Sequence, residues 1–126
     1  MSTGKKICLV VDDEETVRSV TSVLAKRLGF SVIEAKDGRE AFGICKKALP
    51  DVILLDRYMP EMDGIEFLKV LRALEGGDKV VVIMCSGENK VEMVKEAMDS
   101  GANNYILKPI ELEDLRKRLI KSGITF

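Results

Sequence analysis

Val52-Ile53-Leu54-Leu55-Asp56 places four aliphatic residues in a row and ends them abruptly on an acid. A strand with one wet face would alternate apolar and polar residues. An unbroken run of this length instead reads as a strand covered on both faces, the pattern of a parallel sheet. Lys6–Val11 and Lys79–Cys85 repeat the pattern, and Ser31–Ala35 and Asn104–Leu107 are shorter candidates of the same kind. Between these runs the apolar residues recur at helical spacing. Val17, Val20, Leu24 and Leu28 form the first set, with Gly29 as a natural stop. Ala41, Cys45 and Ala48 precede Pro50, and Phe67, Leu68, Leu71 and Leu74 precede Gly76-Gly77. Val91, Val94 and Met98 lead to Gly101, and Leu112, Leu115 and Leu119 form the last set. Strand and helix therefore alternate along the whole chain. That predicts an α/β fold, a doubly wound (βα)5 parallel sheet with helices on both faces. Right-handed crossovers favour the flavodoxin-like strand order 2-1-3-4-5.

The 126 residues suit one domain, read as spanning 1–126 with no second (output) domain attached. Hydrophobic residues make up 46% and charged residues 33%, a globular rather than a disordered balance. A formal net charge of −1 gives no electrostatic reason to expect nucleic acid as a partner. The basic run Arg116-Lys117-Arg118 reads as the wet face of a helix. No apolar run approaches the roughly 20 residues that span a bilayer. Lys5-Lys6 followed by Ile7–Val11 is too short for a signal core and runs into four acids, so a cytoplasmic protein is expected. Cys8, Cys45 and Cys85 are far apart in apolar stretches and read as reduced core thiols. Histidine is absent, which excludes Ser-His-Asp and Cys-His catalysis and any His-ligated metal.

Function in such sheets gathers beyond the carboxyl ends of the strands, where the strand order reverses. Asp12-Asp13 follows the first strand and Asp56 ends the third, which the predicted order makes neighbours. Ser86 follows the fourth strand and Lys108 the fifth. Each has an ordinary reading. Asp12 and Asp13 can cap the first helix, with Glu14 and Glu15 complementing its dipole. Asp56 and Ser86 can be turn residues, and Lys108 a surface lysine before a proline. Together, three acids, a hydroxyl and a lysine on four strand ends form a cluster with its own chemistry. Crowded carboxylates raise one another's proton affinity unless a cation neutralises them. Mg2+, a hard ion that takes one or two carboxylates, waters and a phosphate, suits the set. Such a cluster can hold a phosphoryl group for in-line transfer, with Asp56 as nucleophile.

At these residues the chain resembles the receiver domains of bacterial two-component systems, including the single-domain chemotaxis regulators. The resemblance rests on Asp56-Arg57-Tyr58-Met59-Pro60-Glu61-Met62-Asp63-Gly64, with Asp12-Asp13, Ser86 and Lys108-Pro109 at the matching strand ends. It implies that Asp56 accepts phosphate from a histidine kinase or a histidine phosphotransfer protein. Asp13, Asp56 and the backbone carbonyl of Tyr58 would ligate Mg2+, with Asp12 acting mainly through water. Ser86 and Lys108 would contact the phosphoryl oxygens, and the Lys108–Pro109 peptide would be cis, although X–Pro alone favours trans. Tyr105 falls at the switch aromatic; its ordinary reading is a tyrosine half-buried on an edge strand. Tyr58 and Glu88 fall where the family tunes dephosphorylation, one by hindering water and the other by orienting it. The output surface implied is helix 4, strand 5 and helix 5, with Lys90, Lys95, Tyr105 and Arg116 as contacts for a downstream target protein. The kinase side implied is the first helix around Glu15, Thr16 and Arg18. A monomeric switch without an attached output domain would act on another molecule, as a motor or enzyme switch or as a phosphorelay shuttle or sink.

Three other functions fit the fold less well. A haloacid-dehalogenase-type phosphatase needs a second aspartate two residues after the nucleophile, where this chain has Tyr58. A flavin or nucleotide binder needs a phosphate loop after the first strand, where four acids stand instead. An adaptor that works without phosphorylation leaves the acidic cluster unexplained.

Overall fold

The computed structural model describes residues 4–126, so the first three positions of the 1–126 span lie outside the described residues. The elements, in chain order, are β1 (Ile7–Val11), α1 (Glu15–Arg27), β2 (Ser31–Ala35), α2 (Gly38–Lys47), β3 (Val52–Asp56) and α3 (Gly64–Ala73), then β4 (Val81–Ser86), α4 (Val91–Asp99), β5 (Asn104–Leu107) and α5 (Leu112–Lys121). The five strands are all parallel and lie in the order β2-β1-β3-β4-β5. This is the doubly wound arrangement expected from the alternation of runs.

Alternate residues of each central strand feed two cores. Ile53, Leu55, Val82 and Met84 pack with α2, α3 and α4 through Ala41, Cys45, Phe67, Leu68, Leu71 and Ala97. Val52, Leu54, Ile83 and Cys85 face the other way, onto α1 and α5 through Ala25, Leu115 and Leu119. Every residue of β3 is buried, which is why its sequence shows no alternation. The three cysteines are free and buried, as read from their apolar settings.

Local signals fix the helix starts. Asp37 caps α2, accepting a hydrogen bond from the Glu40 amide at 2.8 Å. Asp63 and Glu66 form a reciprocal capping box at the start of α3, with bonds of 2.9 and 3.3 Å.

Three helical stripes and two strand starts differ from the sequence reading, β1 beginning at Ile7 rather than Lys6. Val20 is 56% exposed, and α1 instead buries Thr21, Ser22 and Ala25, small side chains that let the helix lie close to the sheet. In α4, Val91 and Met98 are exposed, and Ala97 is the buried residue, with Val94 half-buried beside it. Ala48 lies past the end of α2 and is exposed. β4 starts at Val81 rather than Lys79, because Gly77–Lys79 form a 3-10 turn. Gly77 has to be glycine there: a Cβ would stand 1.9 Å from the Leu71 carbonyl oxygen.

Candidate functional site

The loops that follow β1, β3, β4 and β5 meet at one edge of the sheet. Strand order makes β1 and β3 neighbours, which brings Asp12-Asp13 beside Asp56. One carboxylate oxygen from each of the three lies within 4.8 Å of the others. Asp12 and Asp56 are buried while Asp13 is exposed, so the cluster has a closed floor and an open side.

Lys108 is the internal counter-ion. Its Nζ donates to Asp12 Oδ2 at 2.9 Å and to Asp56 Oδ1 at 2.8 Å. Its backbone amide donates to the Ser86 carbonyl at 2.7 Å, tying the ends of β4 and β5 together. The following peptide, Lys108–Pro109, is cis. Asp12 does part of the capping work as well: its Oδ1 accepts from the Glu14 amide at 2.9 Å, while Glu14, the N-cap of α1, makes no side-chain cap.

Burial pushes the Asp56 carboxyl up to about 6, an effect that the Lys108 contact opposes and the charges of Asp12 and Asp13 reinforce. Burial works to lower the Lys108 ammonium, but its bonds to Asp56 and Asp12 outweigh that and raise it to about 12. The Asp56 shift has a consequence for stability. Its folded value lies above the ordinary 3.8, so the folded state holds a proton that the unfolded chain has lost. This group therefore contributes less and less stability as pH rises from about 4 to about 6. In chelator, Asp56→Asn is expected to match wild type near the lower limit and to exceed it by roughly 2–3 kcal/mol at neutral pH. Urea denaturation of both proteins across this range checks the sign. A stability difference that stays flat or reverses with pH contradicts it.

Ser86 is buried, and its Oγ accepts from the Glu88 amide at 3.1 Å. Tyr105 donates its hydroxyl to the Glu88 carbonyl at 2.6 Å. A single residue, Glu88, thus links Ser86, which ends β4 rather than following it, to the aromatic of β5. At 6% exposure Tyr105 is buried rather than half-buried, although β5 is an edge strand. Tyr58 is turned outward, 53% exposed, with its hydroxyl 3.9 Å from Met93 Sδ on α4.

Two arginines at this edge have roles that the sequence did not announce. Arg57 is buried and forms an ion pair with Glu96 on α4, while its Nε and Nη1 have no hydrogen-bond partner among the described residues. Arg18 lies against the loop after β1, donating to the Asp12 carbonyl and to Glu34. The sequence reading gave Arg57 no role and Arg18 only that of a kinase-side contact, because the partners come from other elements and, for Arg18, include a backbone carbonyl.

The donor set is all hard oxygen, offered by clustered carboxylates, and so fits a small divalent cation better than a soft or nitrogen-loving metal. Residues 8–120 match the sequence profile of the response regulator receiver domain. The chain belongs to this family. The receiver is 40% identical over 114 residues to Chemotaxis protein CheY-3 of Vibrio cholerae serotype O1, covering 90% of this chain and 88% of that protein. It is 31% identical over 113 residues to Sporulation initiation phosphotransferase F of Bacillus subtilis (strain 168), covering 90% of each. Regulatory protein AtoC of Escherichia coli (strain K12) is 40% identical over 107 residues, but the receiver spans only 23% of its length. Among solved structures, Vibrio cholerae chemotaxis protein CheY4 matches with a TM-score of 0.89 at 34% identity, covering 94% of this chain and 99% of the other. As a receiver domain the molecule is a signalling switch of the two-component type. No helix of the described residues is long and apolar enough to cross a membrane.

Proposed function

We propose that this receiver is switched by Mg2+-dependent phosphorylation of Asp56. The supporting observation is the bridge of Lys108 Nζ between Asp56 and Asp12, which puts a fixed positive charge at the end of the buried acceptor strand. An Asp56 oxygen attacks the phosphorus of a phosphohistidine, forming an acyl phosphate as the P–N bond breaks. These 126 residues hold no histidine, so the phosphohistidine lies outside them, on a histidine kinase or a histidine phosphotransfer protein. Mg2+ held by Asp13, Asp56 and the Tyr58 carbonyl, with Asp12 acting through water, would neutralise charge on the transferring group. Lys108 and Ser86 then bind the phosphoryl oxygens, which carry roughly −1.5 to −2 charges. To do so Lys108 gives up carboxylate contacts, and Ser86 donates its hydroxyl to a phosphoryl oxygen, a trade in which it moves away from the Glu88 amide that its Oγ accepts from. Because Tyr105 hangs on the Glu88 carbonyl, that trade reaches β5 and the face formed by α4, β5 and α5.

This face is the proposed target-binding surface, with Lys90, Lys95 and Arg116 as exposed or partly exposed contacts and Tyr105 as the residue whose burial changes. The kinase side is proposed to be α1 around Glu15, Thr16 and Arg18. Tyr58 and Glu88 are proposed to set the phosphoryl lifetime. The receiver is proposed to act in the cytoplasm as a monomer on another protein.

The test is intact mass after incubation with a small phosphodonor and Mg2+. One phosphoryl group is expected on wild type, none on Asp56→Asn, and none on wild type after chelation. Absence of the adduct with several donors, together with no response to beryllofluoride, would replace this reading with a phosphorylation-independent adaptor.

A further inference from the structure

We infer that Arg18 is a positioning residue for the metal site, holding the Asp12–Asp13 peptide in the orientation that aims Asp13 at the cation. The inference rests on the Mg2+ reading above and adds a residue to it.

Asp12 is held at four points. Its amide donates to the Ala35 carbonyl at 3.1 Å, its Oδ1 accepts from the Glu14 amide at 2.9 Å, and its Oδ2 accepts from Lys108 at 2.9 Å. The fourth is its backbone carbonyl, which accepts from Arg18 Nη1 at 2.8 Å. Asp13 differs. Its side chain is exposed and takes no hydrogen bond or ion pair from the described residues. Its position is therefore set through the backbone alone. Because the peptide unit is planar, fixing the Asp12 carbonyl also fixes the plane of the Asp13 amide and the direction in which Asp13 leaves the strand.

Arg18 is suited to that task. It projects from α1, across the loop from the carbonyl it holds, and its side chain is only 17% exposed. Glu34, on the edge strand β2, accepts from its Nε at 3.1 Å and so sets the plane of the guanidinium. A rigid fork held at one prong and donating from another is a geometry that lysine cannot reproduce. Outer-shell groups that orient metal ligands commonly matter by about 10–100-fold in affinity.

Charge and positioning predict opposite signs. Arg18 is a cation close to the cation site, so if only its charge mattered, neutralising it would tighten Mg2+ binding. If it positions Asp13, neutralising it loosens binding. Direct Mg2+ titration by calorimetry, with no phosphodonor present, reads this out. Arg18→Met is expected to raise the Mg2+ Kd by about tenfold. Arg18→Lys should lie between it and wild type, and Glu34→Gln should weaken binding by a smaller factor. Unfolding midpoints in chelator serve as the control for a purely structural role. Should Arg18→Met not fold, Arg18→Lys and Glu34→Gln carry the comparison. An unchanged or lower Kd in the folded variants overturns the role of Arg18 and leaves the Mg2+ reading standing. Failure of wild type to bind Mg2+ overturns that reading itself.

Discussion

Arg72→Ala is expected to lose about 3–5 kcal/mol of folding stability, with labelling of Asp56 unchanged in the molecules that remain folded. Arg72 sits in the last turn of α3 and serves four acceptors on three other segments. Its Nη1 donates to the Gly77 and Val80 carbonyls, both at 2.7 Å. Its Nε and Nη2 reach the Gly101 carbonyl at 3.0 and 2.6 Å, and Nη2 also reaches Asn103 Oδ1 at 3.0 Å. Asn103 Oδ1 in turn accepts from the Val82 amide at 2.7 Å. One side chain therefore joins the end of α3, the 3-10 turn, the start of β4 and the turn before β5. Bonds from a charged donor contribute about 1.5–3 kcal/mol each, but burial works against the charged guanidinium and lowers its pKa, so the sum is not realised in full. Arg72→Lys keeps the charge without the fork and should recover less than half of the loss. Urea denaturation measures both variants. A loss under about 1 kcal/mol for Arg72→Ala would show that water replaces the guanidinium without penalty.

Lys108→Ala should lose about 2–4 kcal/mol at neutral pH in chelator, because it leaves two buried carboxylates facing each other without their cation. Two signatures separate this from simple loss of packing. Mg2+ should stabilise the variant more than wild type, since it supplies charge where the ammonium was. The deficit should also shrink as pH falls from neutral toward about 6 and level off below it, because Asp56 without the lowering contact of Lys108 takes up its proton at a higher pH than in wild type. Thermal melts with and without Mg2+ across that range test both. A deficit that neither Mg2+ nor acid relieves would mean that Lys108 acts mainly through the packing of its aliphatic stem, since its backbone bond to Ser86 survives the substitution.

The parts of the molecule that the sequence made legible are those in which a residue's own type determines its place. Unbroken aliphatic runs read as two-sided strands, so β1 and β3 follow from composition, and right-handed crossovers favour the order that the sheet has. Asp12, Asp13, Asp56 and Lys108 were legible because each stands directly at a strand end, where topology alone brings them together. The α1 and α4 stripes were misplaced for a physical reason. Val20, Val91 and Met98 satisfy the helical period, yet contact with the sheet went to Thr21, Ser22, Ala25 and Ala97, whose small volume allows close approach. Arg18, Arg57 and Arg72 were illegible as a class. A solvated arginine and one that clamps backbone carbonyls from three loops look the same in one dimension, and only the folded geometry distinguishes them.

The clamp of Arg72 and the cluster around Asp56 lie at opposite ends of the same five strands. The residues that hold the sheet together at its amino edge, Arg72, Gly77 and Asn103, take no part in the acidic cluster at its carboxyl edge. Partner choice and phosphoryl lifetime can therefore drift over evolutionary time, or be randomised in a library, without touching the clamp that secures the amino edge. A selection for new signalling partners should accumulate its changes on α1 and on the face of α4, β5 and α5, while Arg72 and Gly77 stay constant throughout.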